Sequence, residues 1–246
     1  MRSLLFTSLA ALAVLAGWSS PSYATQPVPA YPPVTPAPGT APDVLLKAVT
    51  SEVIALIRQD GDIQAGNPAK VAELVETRIL PHFDFPRMTR IAVARNWRLA
   101  TQAQKQALTA EYRTLLVRTF STALSSYRDQ AIEYKPLRAA RNATEVTVKS
   151  TLTQPGAERT TLDYAMEKTT AGWKVYDIKI AGISLISTYQ PGFARTIRGG
   201  GVDGLIHSLS AENRQADAEL VARARSAHPF LFFLYAVIPS IFHSGR

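Results

Sequence analysis

Glu145-Val146-Thr147-Val148-Lys149-Ser150-Thr151-Leu152 decides the fold, because Val146, Val148 and Leu152 alternate with Glu145, Thr147, Lys149 and Thr151. A period of two places successive side chains on opposite sides of a strand, one side apolar and one wet. The pattern recurs twice. Leu162, Tyr164 and Met166 alternate with Thr161, Asp163 and Glu167, and Tyr176, Ile178 and Ile180 form a third run. Pro155-Gly156 and Ala171-Gly172 lie between the runs as turns. Connections this short join antiparallel neighbours. The spacing therefore predicts an antiparallel sheet from Ile132 onward, with one face that must be covered.

Upstream, the period is helical. Leu108, Tyr112, Leu115, Leu116, Phe120, Ala123, Leu124 and Tyr127 form a stripe wider than one neighbouring helix needs, which predicts packing on the sheet. Thr101 and Gln104 have the spacing of a capping box at the start of that helix. Asn67-Pro68 opens a second helix that should run through Leu80 and stop at Pro81. A short helix should start around Asp84-Phe85-Pro86. Val44, Leu45, Ala48, Val49, Val53, Leu56 and Ile57 recur at three- and four-residue spacing in a first helix, which Gly61 should stop. Helices first and strands later imply an α+β domain, its N-terminal helices packed on one face of a twisted antiparallel sheet.

Downstream, Gly199-Gly200-Gly201 should break a helical stretch in two, and Ala211 to Arg225 reads as a solvent-facing helix. The apolar run from Pro229 to Phe242 is shorter than the roughly 20 residues of a membrane span, so docking on the domain, a membrane or a partner is expected. At the other end, Arg2, the apolar run Leu4 to Trp18 and Ser22-Tyr23-Ala24 make the three-part pattern of a cleavable signal peptide. Residues 1–24 are read as that signal and 25–42, rich in proline, as an extended linker. Residues 43–210 form the domain and 211–246 an extension. Export to the periplasm follows as an expectation.

Composition removes several chemistries. The chain has no cysteine, hence no disulfide, thiol catalysis, thiolate metal site or lipidated cysteine. His82, His207, His228 and His243 lack the short spacing of a metal-binding helix, so no metal is assigned. No Gly-x-Ser-x-Gly elbow is present. Without residues 1–24, Arg2 is lost and 26 basic residues face 19 acidic ones, a net charge of 26 − 19 = +7. Those cations are dispersed rather than gathered in one run, which argues against nucleic acid; a balance of this size usually means only a solvated surface, and the sharper reading is attraction to anionic membranes or acidic partners.

Three ordered stretches carry a resemblance. They are Pro81-His82-Phe83-Asp84-Phe85 with Arg90 and Trp97, then Gly172-Trp173-Lys174-Val175-Tyr176-Asp177-Ile178 with Gly182-Ile183-Ser184-Leu185, then Asp203-Gly204-Leu205-Ile206. The set resembles the Mla-type periplasmic phospholipid carriers, the MlaC or toluene-tolerance auxiliary family. That resemblance implies an apolar cavity between helices and sheet, a phospholipid as cargo rather than cofactor, and no catalysis. It also implies two partners: an inner-membrane ABC transporter complex with its substrate-binding component, and an outer-membrane lipoprotein–porin complex. The arginine that relatives commonly carry after the tyrosine following the last strand is missing from Thr188-Tyr189-Gln190-Pro191.

A cavity of this kind needs large apolar side chains on facing elements. The expected wall is Phe83, Met88, Leu116 and Phe120 from the helices and Val146, Val148, Tyr164, Met166, Tyr176 and Ile178 from the sheet, with Ile183, Ile186, Tyr189 and Phe193 at the rim. Trp173 and Asp177 are expected to be structural. Two other readings compete. One is a small isomerase or hydratase on a similar cone-shaped fold, with Asp84 near His82 as base; the other is a periplasmic adaptor without ligand.

Overall fold

A computed structural model describes residues 39–224, apart from positions 126, 128, 129 and 141, with side chains placed as far as 216. The signal segment, most of the proline-rich linker and the apolar tail lie outside the described residues. Helix α1 (Pro42–Gln59) buries Leu45, Leu46, Val49, Val53 and Ile57, while Val44 points to solvent. It ends before Gly61 because Asp60 begins a new turn: Asp60 Oδ1 accepts from the amides of Asp62 and Ile63, opening α2 (Gly61–Gln64). Asn67 Oδ1 then caps α3 (Pro68–Leu74) at the amides of Ala69 and Lys70. Instead of staying regular to Leu80, the chain widens into a π turn over Val75–Ile79 and tightens into a 3-10 turn over Leu80–His82. Pro81 lacks an amide hydrogen and its ring opposes the preceding carbonyls, so a regular helix has no path through it.

Phe83 is extended and pairs with Val175 in the sheet, where the Asp84 amide donates to the Val175 carbonyl at 2.9 Å. Asp84 Oδ1 in turn accepts from the Arg87 amide at 2.8 Å and caps α4 (Phe85–Val93). A 3-10 corner over Ala94–Leu99 follows. Helix α5 (Gln102–Ser125) opens with the reciprocal capping box: the Gln104 amide donates to Thr101 Oγ1 and the Thr101 amide to Gln104 Oε1.

The sheet is a five-stranded antiparallel meander in the order β1 (Ala131–Tyr134), β2 (Glu145–Thr153), β3 (Thr160–Thr169), β4 (Gly172–Ile180), β5 (Ile183–Ser184). Val146 lies opposite Met166, Val148 opposite Tyr164 and Tyr164 opposite Ile178, as the alternation requires. Gly172 has φ 97°, a turn conformation that side-chain-bearing residues rarely adopt. The sheet and helices together are the expected α+β fold.

Helix α6 (Gln190–Ala224) is interrupted at Gly201, which has φ 68° and ψ −170°, so the glycines do divide it. Its later part is not wholly solvent-facing. Asn213 is buried and donates to Glu111 at the carbonyl and at Oε2, and Arg118 reaches Asn213, fixing this stretch on α5. Among the described residues, no helix is long and apolar enough to cross a membrane.

Candidate functional site

The apolar interior falls into two clusters. One joins α4, α5 and α6 around Met88, Leu108, Tyr112, Leu116, Ile186 and Phe193. The other lays α1, α2 and α3 over Val148, Met166 and Val175 of the sheet. Ile79, Phe83 and Leu124 pack against both, which makes them the seam. Phe83 stacks on Phe85 at 6.2 Å and tilts against Phe120 at 5.3 Å.

This arrangement corrects the expectation for α5. Its broad stripe meets chiefly α3, α4 and α6 rather than the sheet, and its C-terminal end, through Leu124 and Tyr127, reaches the strand-side cluster. The fourteen predicted wall residues are divided accordingly. Met88, Leu116, Ile186 and Phe193 are buried in the helical cluster, with Phe120, Tyr176 and Tyr189 half-buried against it. Val148 and Met166 are fully buried in the strand-side cluster, where Val146, Tyr164 and Ile178 are half-buried. Phe83 belongs to both, and Ile183 is 55% exposed and part of neither.

Tyr176 leaves the face on which its spacing had placed it. The register of β3 and β4 shifts between Ala165 and Met166, so Met166 faces Val175 and Tyr176 becomes the extra residue of a bulge. Val175, fully buried, takes the inward position instead. Sequence reasoning missed Val175 because period two has no signal for an inserted residue.

The displaced Tyr176 meets α4. The Arg87 guanidinium lies 3.6 Å over its ring, and the Tyr176 hydroxyl donates to Glu145 Oε2 at 3.2 Å. Arg87 Nη2 also donates to Glu145 Oε1 at 2.8 Å and Nη1 to Glu167, clasping two facing strand residues. The two carboxylates respond oppositely. Arg87 holds Glu145 below its ordinary range, whereas burial and the neighbouring Asp84 lift Glu167 despite the same arginine. The difference follows exposure, 55% for the Glu145 side chain against 22% for Glu167.

A stability test follows. Glu145 contributes stability above the unfolded carboxylate range that is lost as pH falls through its folded value; Glu167 has the reverse sign, its contribution being lost as pH rises. Arg87→Gln should cost about 1–2 kcal/mol near neutral pH, since the exposed half of the clasp is screened. The gap between wild-type and variant urea midpoints should close only well below the ordinary glutamate pKa of about 4.3, because Arg87 holds Glu145 ionised past that point and both partners must be protonated. An equal gap at both pH values would remove the clasp as its origin.

The remaining polar groups are mostly structural. Asp177 is buried and accepts from the Ile186 amide at 3.3 Å, tying the bulged strand to the turn before α6. Tyr112 sits edge-on to Tyr189 and Phe193 at 5.3 and 5.4 Å, and burial pushes its phenol pKa well up. Asp84 is engaged as a helix cap, and burial with nearby Lys174 lowers the pKa of His82. No group of acids and histidines among the described residues could hold a metal ion.

On the strand side, an open cleft of about 310 Å³ lies between α1 and β1, lined by Lys47, Thr50, Ser51, Ile54, Ile132 and Tyr134. Thr50 Oγ1 and the Tyr134 hydroxyl share a 2.6 Å hydrogen bond there. Tyr134 stacks on Tyr164 at 6.2 Å, which links the cleft to the apolar face of the sheet. None of the fourteen expected residues lines it.

A helical layer over an antiparallel meander, with an apolar seam between them, defines an open-sheet α+β fold. Residues 47–211 match the MlaC protein family, and the chain belongs to it. It is 23% identical over 195 residues to the toluene tolerance protein ttg2D of Pseudomonas putida, covering 76% of this chain and 90% of that protein. A solved structure, the phospholipid-binding protein from Ralstonia solanacearum in complex with a phospholipid, superposes with a TM-score of 0.65. It is 43% identical, over 70% of this chain and 97% of its own.

Proposed function

We propose that this chain is a non-enzymatic periplasmic carrier that holds a phospholipid by its acyl chains between the helices and the apolar face of the sheet. The observation that carries the reading is its likeness to the Ralstonia solanacearum protein, whose structure contains a phospholipid. Half-buried Val146, Tyr164 and Ile178 supply apolar surface on the strand side. The carrier receives and delivers lipid at an inner-membrane ABC transporter complex and an outer-membrane lipoprotein–porin complex, and so maintains outer-membrane asymmetry.

Energetics shape the mechanism. Two chains of about 16 carbons represent roughly 25 kcal/mol of transfer from water at about 0.8 per methylene, beyond the ceiling of about 18–21 for non-covalent affinity. A carrier therefore does not collect lipid from free solution. Its interior stands in for the bilayer as a solvent, exchange with a docked partner is near balance, and direction comes from the partner.

Native mass spectrometry of protein from a periplasmic extract tests cargo and location together. The expected species begins at Thr25 and carries a two-chain phospholipid. An unprocessed chain in the membrane fraction would count against export, and a processed but empty protein would favour the adaptor.

A further inference from the structure

From Phe85 to Ala110 the chain has no acidic residue but carries Arg87, Arg90, Arg95, Arg98 and Lys105; from Ile178 to Val202 it again has none, with Lys179, Arg195 and Arg198. The fold brings these two stretches together. The 3-10 corner packs on α6, Gln190 Nε2 donates to the Ile91 carbonyl at 2.9 Å, and Gln104 Nε2 donates to Asp203 Oδ1 at 2.8 Å. Arg87 is neutralised by Glu145 and Glu167, and Lys179 lies on the sheet. Arg90, Arg95, Arg98, Lys105, Arg195 and Arg198 remain, and none has a salt bridge among the described residues. Arg78, Arg87, Arg113 and Arg118, by contrast, each pair with a glutamate.

The corner is also shaped by spacing. Arg95 and Arg98, three apart on a 3-10 turn, fall on the same side. Arg195 and Arg198 are neighbours on one face of α6. Leu99, beside Arg98, is 77% exposed, more than Val44 or Ile183, the other exposed large apolar side chains described. Trp97 is half-buried, with Lys105 Nζ 5.8 Å over its ring.

We infer that this corner docks on an anionic lipid bilayer, its cations meeting lipid phosphates and Leu99 entering the interfacial zone. A protein partner of comparable strength would bury an apolar core of its own, and a single projecting leucine offers none. A bilayer needs only a cluster of cations and a shallow apolar anchor. The inference goes beyond the carrier reading and stands whether or not the core holds a lipid.

Flotation of the purified chain with vesicles tests it, using phosphatidylcholine alone and phosphatidylcholine in which a third of the lipid is phosphatidylglycerol. Wild type should bind only the anionic vesicles and release as salt rises. R95Q/R98Q/R195Q/R198Q should lose binding about tenfold or more, and Leu99→Ser should lose it several-fold. K135Q/K149Q/R159Q/K179Q, which removes the same charge from exposed sheet-side positions, should change binding less than about twofold. Residues 225–246 are common to all these proteins, so their contribution cancels. R95Q/R98Q and R195Q/R198Q give the same comparison should the fourfold variant not fold. Equal losses in the corner and control variants would overturn the docking surface in favour of general charge attraction. So would absence of wild-type binding, including the case where only an acidic protein is bound. Unchanged binding by Leu99→Ser would overturn the seating of that side chain.

Discussion

Val148→Asp should unfold the protein or come close to it, whereas Ile178→Glu on the same face of the sheet should leave it folded but empty of lipid. Val148 is fully buried in the strand-side cluster, among the apolar side chains of α1 and α3. A carboxylate there has no partner and no water, a penalty of about 3–5 kcal/mol. That is a large fraction of the roughly 5–15 kcal/mol that holds a domain together. Ile178 is only half-buried, so an ionised group at its position can be hydrated once hydrocarbon is absent. Thr147→Asp, on the exposed opposite face, should affect neither property. Urea midpoints and phosphorus in extracted lipid report the two outcomes separately. Equal stability of the Val148 and Thr147 variants would contradict the burial, and full lipid content in Ile178→Glu would remove the sheet face from the cavity.

Leu116→Ala and Met88→Ala should each cost about 2–5 kcal/mol, the price of a cavity in close-packed surroundings, while the protein that remains folded keeps its lipid. Both side chains are fully buried in the cluster of α4, α5 and α6, on the helical side of the seam. Phe120→Ala should disturb stability and lipid content together, since Phe120 packs on the seam residue Phe83. Thermal melts followed by native mass spectrometry well below the transition distinguish the cases. A well-folded Leu116→Ala protein without lipid would return that residue to the cavity wall.

The contrast between these variants marks where the residue pattern stopped being informative. Helix starts at Asn67, Asp84 and Thr101 were legible because the groups that set them lie within three residues of one another. The strands were legible from alternation, and their pairing from turns too short to allow anything but antiparallel neighbours. The partner of α5 was not. A wide apolar stripe is equally satisfied by a sheet or by α3, α4 and α6 together, and spacing along one helix says nothing about which neighbour arrives. The bulge escaped for another reason: one extra residue in β4 exchanges Tyr176 for Val175 without any change of composition. The cleft beside Lys47 and Tyr134 joins positions 87 residues apart, a distance no local pattern spans.

Phe83 has an effect beyond the seam it marks. The outer edge of β4 is covered at one end by the two residues of β5, which pair with Lys179 and Ile180, and near the other by the bridge from Phe83 to Val175. The opposite edge of the sheet is β1, four residues long and followed by Lys135 and Pro136. Among the described residues, the uncovered edge is thereby cut into short pieces, β1 itself and the part of β2 before Ser150, on which a second copy would find little to continue the sheet. Short edges, covering segments and a proline beside an edge are how soluble sheets avoid templating one another into fibrils. The contact that joins helices to strands thus also limits self-polymerisation.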